Sequence, residues 1–296
     1  NLIRHLSKNK DLKTLPLTRN PKNISSLFPE MKTYNFELNP LSKNKIPESI
    51  DSLIHLAGPP YSECQQNPKK ALQESQEGTK KLLHEAKKKG LKRILFISTI
   101  HVYGFPLSGK INELTTPKPY SLYAKQKYYI EEFIRDFSIK NNIKYFIFRL
   151  SNSIGLPLVY PANSWELVGN MLCRSAIIDK KIILHSNGLQ KRNFIPLQDV
   201  MSTLRYFLSD GDPGIYNLGS RYTISLLELA KIISEIYEDI FNVKIKTILG
   251  DKKEKTAKES LLYDCNKIRT SGLIIKEDLK SEINNMLQSI KLESKI

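Results

Sequence analysis

Tyr123 and Lys127, in the string YAKQK, stand four residues apart, which places both side chains on one face of a helix. A phenol beside a fixed ammonium is a proton-transfer pair, provided something holds a substrate against it. Spacing alone does not decide the matter. The chain has 14 tyrosines and is rich in lysine, so such pairs arise by chance. A second one, Tyr263 and Lys267 in YDCNK, reads as structural. What separates the first pair is its setting. Thr99 ends the apolar run KRILFIST (92–99), and open parallel sheets bind ligands beyond the carboxyl ends of their strands. Prolines in NELTTPKPYS (112–121) break any helix before Tyr123, so the helix of the pair begins near the same sheet edge.

The elements that must position these groups follow from pattern. LKTLPLTRN (12–20), ending near Arg19, MKTYNFEL (31–38) and DSLIHLAG (51–58) read as strands. Residues 67–90 read as a helix, with Asn67 as cap, Pro68 in the first turn and Gly90 at the end. KRILFIST, a helix over about 121–140 and the strand KYFIFRLS (144–151) follow. Apolar strands alternating with helices predict an α/β fold, a doubly wound parallel sheet covered on both faces. Beyond Asn152 the pattern loosens into a helix (164–178), the strand KIILH, a helix from Gln198 and a returning strand IYNLG (215–219). A helix, the strand VKIKTIL and an amphipathic helix near 277–291 complete the chain, and NLIRHLSKNK at its start has helical spacing.

Composition narrows the function classes. At 296 residues, 40% hydrophobic and 26% charged, the chain is long enough for a large core and reads as globular and cytoplasmic, with no membrane partner. Cys64, Cys173 and Cys265 form no C-x-x-C pair, which speaks against structural zinc or a disulfide framework. A net charge of +16 raises the question of nucleic acid. The densest clusters, AKKKGLKR (86–93) and GDKKEKTAK (250–258), fall at a helix end and in a polar loop, where such charge is usually solvated surface. No nucleic-acid partner is expected.

HLAG, EGTKKLLHEAKKKGLKRILFISTIHVYG, YAKQK, FRLSNSIG, KRNFIPLQDV, YNLGS and YDCNKIR occur in the order and spacing of one known family. Over nearly its whole length the chain resembles the extended short-chain dehydrogenase/reductases, the NAD-dependent epimerase/dehydratase family that acts on nucleotide sugars. The resemblance implies a Rossmann-type sheet in residues 1–155 binding NAD or NADP. It implies a smaller C-terminal substrate lobe in 156–296, with about 197–218 returning to the first domain. Tyr123 would be the acid/base and Lys127 its partner, also bonding the nicotinamide ribose; Thr99 would hydrogen-bond the reacting oxygen. Ala57 and Gly58 would pass beside the cofactor, Arg192 would grip the nucleotide phosphates and Asn152 would lie by the sugar. The ammonium and the oxidised nicotinamide would together lower the phenol from its free value near ~10 toward neutrality. Plainer readings stand beside these. Thr99 can be an ordinary strand residue, Asn152 a turn cap, Arg192 half of a surface ion pair and His101 a loop residue. No histidine cluster suggests metal.

The chain also departs from the family. A first strand and its G-x-x-G-x-x-G turn would come immediately before NLIRHL, which implies a fragment lacking on the order of ten residues, about one strand and its turn. Such a chain would fold poorly and bind cofactor weakly. Arg19 replaces the acid that holds the ribose of NAD, which leans toward NADP and its 2′-phosphate. Ser75 stands where the family usually has asparagine. Ile100 and His101 occupy the place of the Asp-Glu pair of the 4,6-dehydratases, which argues against dehydration. The expected function is therefore a nucleotide-sugar epimerase or keto-sugar reductase, by analogy a homodimer. The alternative is a non-catalytic dinucleotide-binding sensor or scaffold of the same fold.

Overall fold

Alternate residues of a strand face opposite sides, so a strand apolar throughout must be covered twice. Arg93–Thr99 and Lys144–Leu150 are such strands. They lie at the centre of a four-stranded sheet ordered Gly214–Leu218, Lys144–Leu150, Arg93–Thr99, Ser52–His55. The computed structural model describes residues 1–158, 163–252 and 260–293. Ser52–His55 runs parallel to Arg93–Thr99, with Ser52 opposite Arg93 and His55 opposite Phe96. On one face Ile94, Phe96 and Ile147 pack with Leu82, Leu83 and Ala86 of the helix Thr79–Lys88 and with Ile130, Ile134 and Phe137 of the helix Leu122–Asn141. On the other, Phe146, Phe148, Phe207 and Tyr216 form an aromatic cluster with centroids 4.9–6.0 Å apart.

Chain contacts divide the molecule into two units. The first holds Asn1–Gly104, Pro117–Arg149 and Leu204–Tyr216; the second holds the remainder. Phe105–Thr116 thus belongs with the second unit, and the segment returning to the first is Leu204–Tyr216, shorter than the 197–218 expected. Two strands are also shorter than expected. Leu17–Thr18 and Tyr34–Asn35 pair parallel to one another in a sheet of their own, and Arg19 lies just past the first as an exposed residue.

The helix expected over 67–90 is interrupted. Pro68–Gln73 gives way to a π turn, Glu74–Gly78, before Thr79–Lys88 resumes the α-helix. The Ser75 hydroxyl, bonded back to the carbonyls of Ala71 and Leu72, caps no neighbour and lies buried within this turn. The turn carries Gly78 against the backbone of Leu38, so close that a Cβ there would lie 1.6 Å from the Leu38 carbonyl oxygen. Backbone cannot swing aside as a side-chain tip can. Gly78→Ala is therefore expected to cost at least about 1–3 kcal/mol, read as a lowered unfolding midpoint in urea.

In the second unit, Tyr222–Ser225, Lys191–Pro196 and Asn152–Ile154 form a three-stranded sheet, antiparallel and then parallel. Lys181–Ser186 pairs parallel with Lys246–Lys252. The core gathers Leu172 and Ala176 of the helix Val168–Ile178, Leu229 and Ile233 of Leu226–Phe241, and Ile283 and Leu287 of Leu279–Glu293. Ser225 and Glu228 form a capping box that starts the second of these helices.

The basic cluster 86–93 is largely occupied at the surface. Lys88 pairs with Glu85, Lys89 with Glu48 and Lys92 with Asp51, while Arg93 donates to the carbonyls of Phe207, Ser209 and Asp210. Most of the cluster 250–258 lies outside the described residues. No helix among the described residues is long and apolar enough to cross a membrane.

Candidate active site

The helix that carries the tyrosine–lysine pair starts where its cap says it should. Ser121 accepts a hydrogen bond from the Ala124 amide at 3.2 Å, and the helix runs Leu122–Asn141 to a left-handed cap at Asn142. Positions 123, 126, 127 and 130 recur at helical spacing and form one stripe. All four line one hollow, together with His55, Ala57, Gly58, Pro59, Ser75, Thr79 and Phe96.

Within the hollow the lysine is held rather than free. Its Nζ donates to the Ile97 carbonyl at 2.9 Å and lies 4.9 Å from the Phe96 ring centroid and 5.9 Å from that of Tyr123. Tyr61 meets Tyr123 edge-on, with centroids 6.4 Å apart. Burial pulls Lys127 down to about 8 against the opposing charges of Glu131 and Cys64, so it remains an ammonium at neutral pH. Burial pushes Tyr123 up to about 12, with Cys64 adding to the rise, so the ligand-free phenol is firmly protonated. His55, stacked on Phe96 and paired through Nε2 with the Thr79 hydroxyl at 3.0 Å, is pushed down to about 3 by burial and by Lys127 and stays neutral.

Thr99 sits at the strand's end, two residues beyond Ile97 and so about 7 Å along the chain, but outside the lining of the hollow. Its Oγ1 accepts from the His101 amide at 3.3 Å and caps the 3-10 turn Ile100–Tyr103. The plainer reading thus describes its present bond, while its hydroxyl proton is still available to donate. Ala57 and Gly58 form an exposed rim. A Cβ at Gly58 would meet only Lys127 Nζ, at an ordinary 3.9 Å, so space does not demand glycine there; its φ of +158° does, being a conformation L side chains rarely adopt.

Beneath the pair lies a buried network that the sequence did not reveal. Arg149 grips Glu131 through Nε at 3.1 Å and Nη2 at 2.7 Å, and the Ser98 hydroxyl donates to the same carboxylate. Arg149 stacks on Tyr103 at 4.8 Å. Burial alone would lower the Arg149 pKa; the bonds and charge of Glu131 overcome that and push it up. The network ties the helix of Lys127 to the strand that ends in Thr99.

The remaining candidates fall elsewhere. In the second unit, Asn152 donates to the Asn193 carbonyl at 2.9 Å. Arg192 donates twice to the Gln190 side chain, at 2.7 and 3.0 Å. Both residues belong to the same three-stranded sheet, Asn152 opposite Phe194. Tyr263 is buried, with its hydroxyl on Asn217 at 3.0 Å, a structural bond. No group of three or more potential metal-ligating residues occurs among the described residues.

A parallel α/β sheet with a hollow beside the carboxyl ends of its strands is the architecture of a Rossmann-type fold. Residues 5–219 match the model of the NAD dependent epimerase/dehydratase family, and the chain belongs to that family. It is 30% identical over 163 residues to a dTDP-D-glucose 4,6-dehydratase of Mus musculus, covering 55% of this chain and 44% of the mouse protein. The chain thus spans less than half the length of that curated relative. Among solved structures, a UDP-glucuronic acid 4-epimerase from Bacillus cereus, in complex with UDP-glucuronic acid and NAD, superposes with a TM-score of 0.78. The identity is 21%, and the match covers 99% of this chain and 95% of that one. RMD from Pseudomonas aeruginosa, complexed with NADPH, gives a TM-score of 0.74 at 21% identity, covering 95% and 99%. These likenesses establish the Rossmann-type fold.

The hollow suits part of a nicotinamide dinucleotide. It is open over Ala57 and Gly58, and it presents the Lys127 ammonium, the Tyr123 phenol and one buried amide donor, Gln126 Nε2, that has no hydrogen-bond partner.

Proposed function

We propose that the protein is an NAD(P)-dependent nucleotide-sugar epimerase or keto-sugar reductase, with Tyr123 exchanging the proton at a sugar oxygen. The observation that carries this reading is the placement of Lys127 Nζ 5.9 Å from the Tyr123 ring, both on the wall of one hollow rimmed by Ala57 and Gly58.

When bound, the nicotinamide would exchange hydride with the sugar carbon and, if oxidised, place positive charge beside the phenol. The chain's residues do the rest. Tyr123, protonated in the ligand-free protein, is ready to give its proton to the oxygen of a keto sugar. For the reverse step Tyr123 would act as the phenolate, taking the proton of the sugar hydroxyl while the carbon's hydride would pass to the oxidised nicotinamide, and the fixed Lys127 charge favours that phenolate. Thr99 would donate a hydrogen bond to the same oxygen. Lys127 would also bond the nicotinamide ribose. In the second unit, Arg192 is assigned to the nucleotide phosphates, for which a guanidinium is suited, and Asn152 to the sugar. Arg19, exposed beyond Leu17–Thr18, leaves the choice between NAD and NADP leaning to NADP.

Dehydration is disfavoured despite the likeness to a 4,6-dehydratase. Ile100, at the first of the two positions where acids would be needed, has its apolar side chain buried in the core, and His101 follows it in the same 3-10 turn. Incubating the protein with UDP-, dTDP- and GDP-linked sugars and either cofactor is expected to yield a C4 epimer, or an alcohol from a 4-keto sugar. Formation of a 4-keto-6-deoxy product would overturn the reading, and so would inertness toward the whole panel despite cofactor binding.

A further inference from the structure

The middle of the string YAKQK holds a residue with an unfinished hydrogen-bond inventory. Gln126 is 3% exposed, although a glutamine on a helix is ordinarily at the surface. It shares the helical stripe of Tyr123, Lys127 and Ile130 and lines the same hollow. Its carboxamide is bonded on one side only. The thiol of Cys64, on the helix Tyr61–Gln66, donates to Oε1 at 3.5 Å. Nε2, which carries two donor hydrogens, is buried and has no partner.

A buried donor left unpaired is costly, and native proteins keep few of them. Replacing this amide by an apolar side chain of the same shape would remove that cost. Its persistence makes sense if a ligand completes it. As placed, Oε1 meets the Cys64 thiol, which also lies 3.9 Å from the Pro59 carbonyl, and Nε2 is the end left without a partner. The neighbours define that ligand's chemistry. A neutral N–H on the helical stripe of Tyr123 and Lys127 suits an acceptor oxygen, such as a hydroxyl or an amide carbonyl. Ala57 and Gly58 leave the approach open on one side.

We propose that Gln126 is a ligand-binding residue whose Nε2 donates to an acceptor oxygen on the nicotinamide–ribose half of the dinucleotide, with Cys64 orienting the amide. This assignment rests on the cofactor reading of the hollow. It predicts an opposition between stability and binding that a purely structural glutamine would not show.

The test is Gln126→Met, which keeps length and helix preference while removing both donor and acceptor. Calorimetric titration with NAD+ and with ADP is compared for the wild-type protein and the variant, alongside ligand-free thermal unfolding. NAD+ affinity is expected to fall about tenfold with ADP affinity unchanged, while the ligand-free Tm stays level or rises. Unchanged NAD+ affinity would overturn the assignment while leaving the cofactor reading intact. A lowered Tm with both affinities reduced would do the same, marking Gln126 as structural. Failure of the wild-type protein to bind NAD+ even at millimolar concentration would remove the cofactor reading itself, and this assignment with it.

Discussion

Tyr123→Phe is expected to lower turnover by at least about a hundredfold, the usual scale for removing a general acid–base group, while dinucleotide affinity changes little. The variant deletes one oxygen and keeps the ring, so the edge-on contact with Tyr61 and the stacking of Lys127 over the ring survive. That selectivity makes the experiment informative. A role in positioning would be preserved in phenylalanine, whereas a role in proton transfer would not. Steady-state rates with the sugar that responds in the panel, together with a direct titration of cofactor, separate the two. They also separate an enzyme from a binding-only sensor, because a sensor would be indifferent to the missing hydroxyl. The high pKa sharpens the expectation. A phenol pushed up to about 12 does not ionise at neutral pH by itself. The direction that starts from a keto sugar and consumes the phenol's proton should therefore be the less dependent on pH.

The second large effect concerns stability. Glu131→Gln removes the carboxylate charge that the Arg149 guanidinium, whose side chain is 3% exposed, grips in the core. Breaking a buried pair from one side costs about 3–5 kcal/mol, so the urea midpoint of the first unit should fall well below that of the wild-type protein. Arg149→Met should cost a comparable amount. The double replacement, Glu131→Met with Arg149→Met, is expected to be less damaging than the sum of the singles, since neither charge is then stranded. Additive losses would mean that the two side chains are not energetically coupled, contrary to the bidentate geometry at 2.7 and 3.1 Å. The same variants bear on function. The carboxylate joins the helix of Lys127 to the strand ending in Thr99 through Ser98, so loosening it should also displace the pair.

Local spacing made Tyr123 and Lys127 legible in the sequence, because four residues along a helix is a short-range geometric fact. The long apolar strands 93–99 and 144–150 were legible for a similar reason: seven residues buried on both faces leave a strong pattern. Leu17–Thr18 and Tyr34–Asn35 were overdrawn because two-residue strands owe their existence to each other, not to a local pattern. The π turn at Glu74–Gly78 was hidden inside a good helical sequence and shows itself only through the approach of Leu38. Gln126 was passed over because burial of a polar helix residue is decided by what packs on it, here Cys64 from a distant segment. The phenol's rise has the same origin. The sequence names the cation four residues away but not the burial that raises the phenol.

The most direct test of the central claim follows an isotope. A nucleotide sugar bearing deuterium at the carbon whose hydroxyl Tyr123 is proposed to deprotonate is incubated with the protein and oxidised cofactor, and the nicotinamide is examined by mass spectrometry. The label should appear on the nicotinamide with the wild-type protein and be absent or strongly delayed with Tyr123→Phe. Transfer at equal rates in both proteins, or loss of the label to water with none reaching the nicotinamide, would contradict the account.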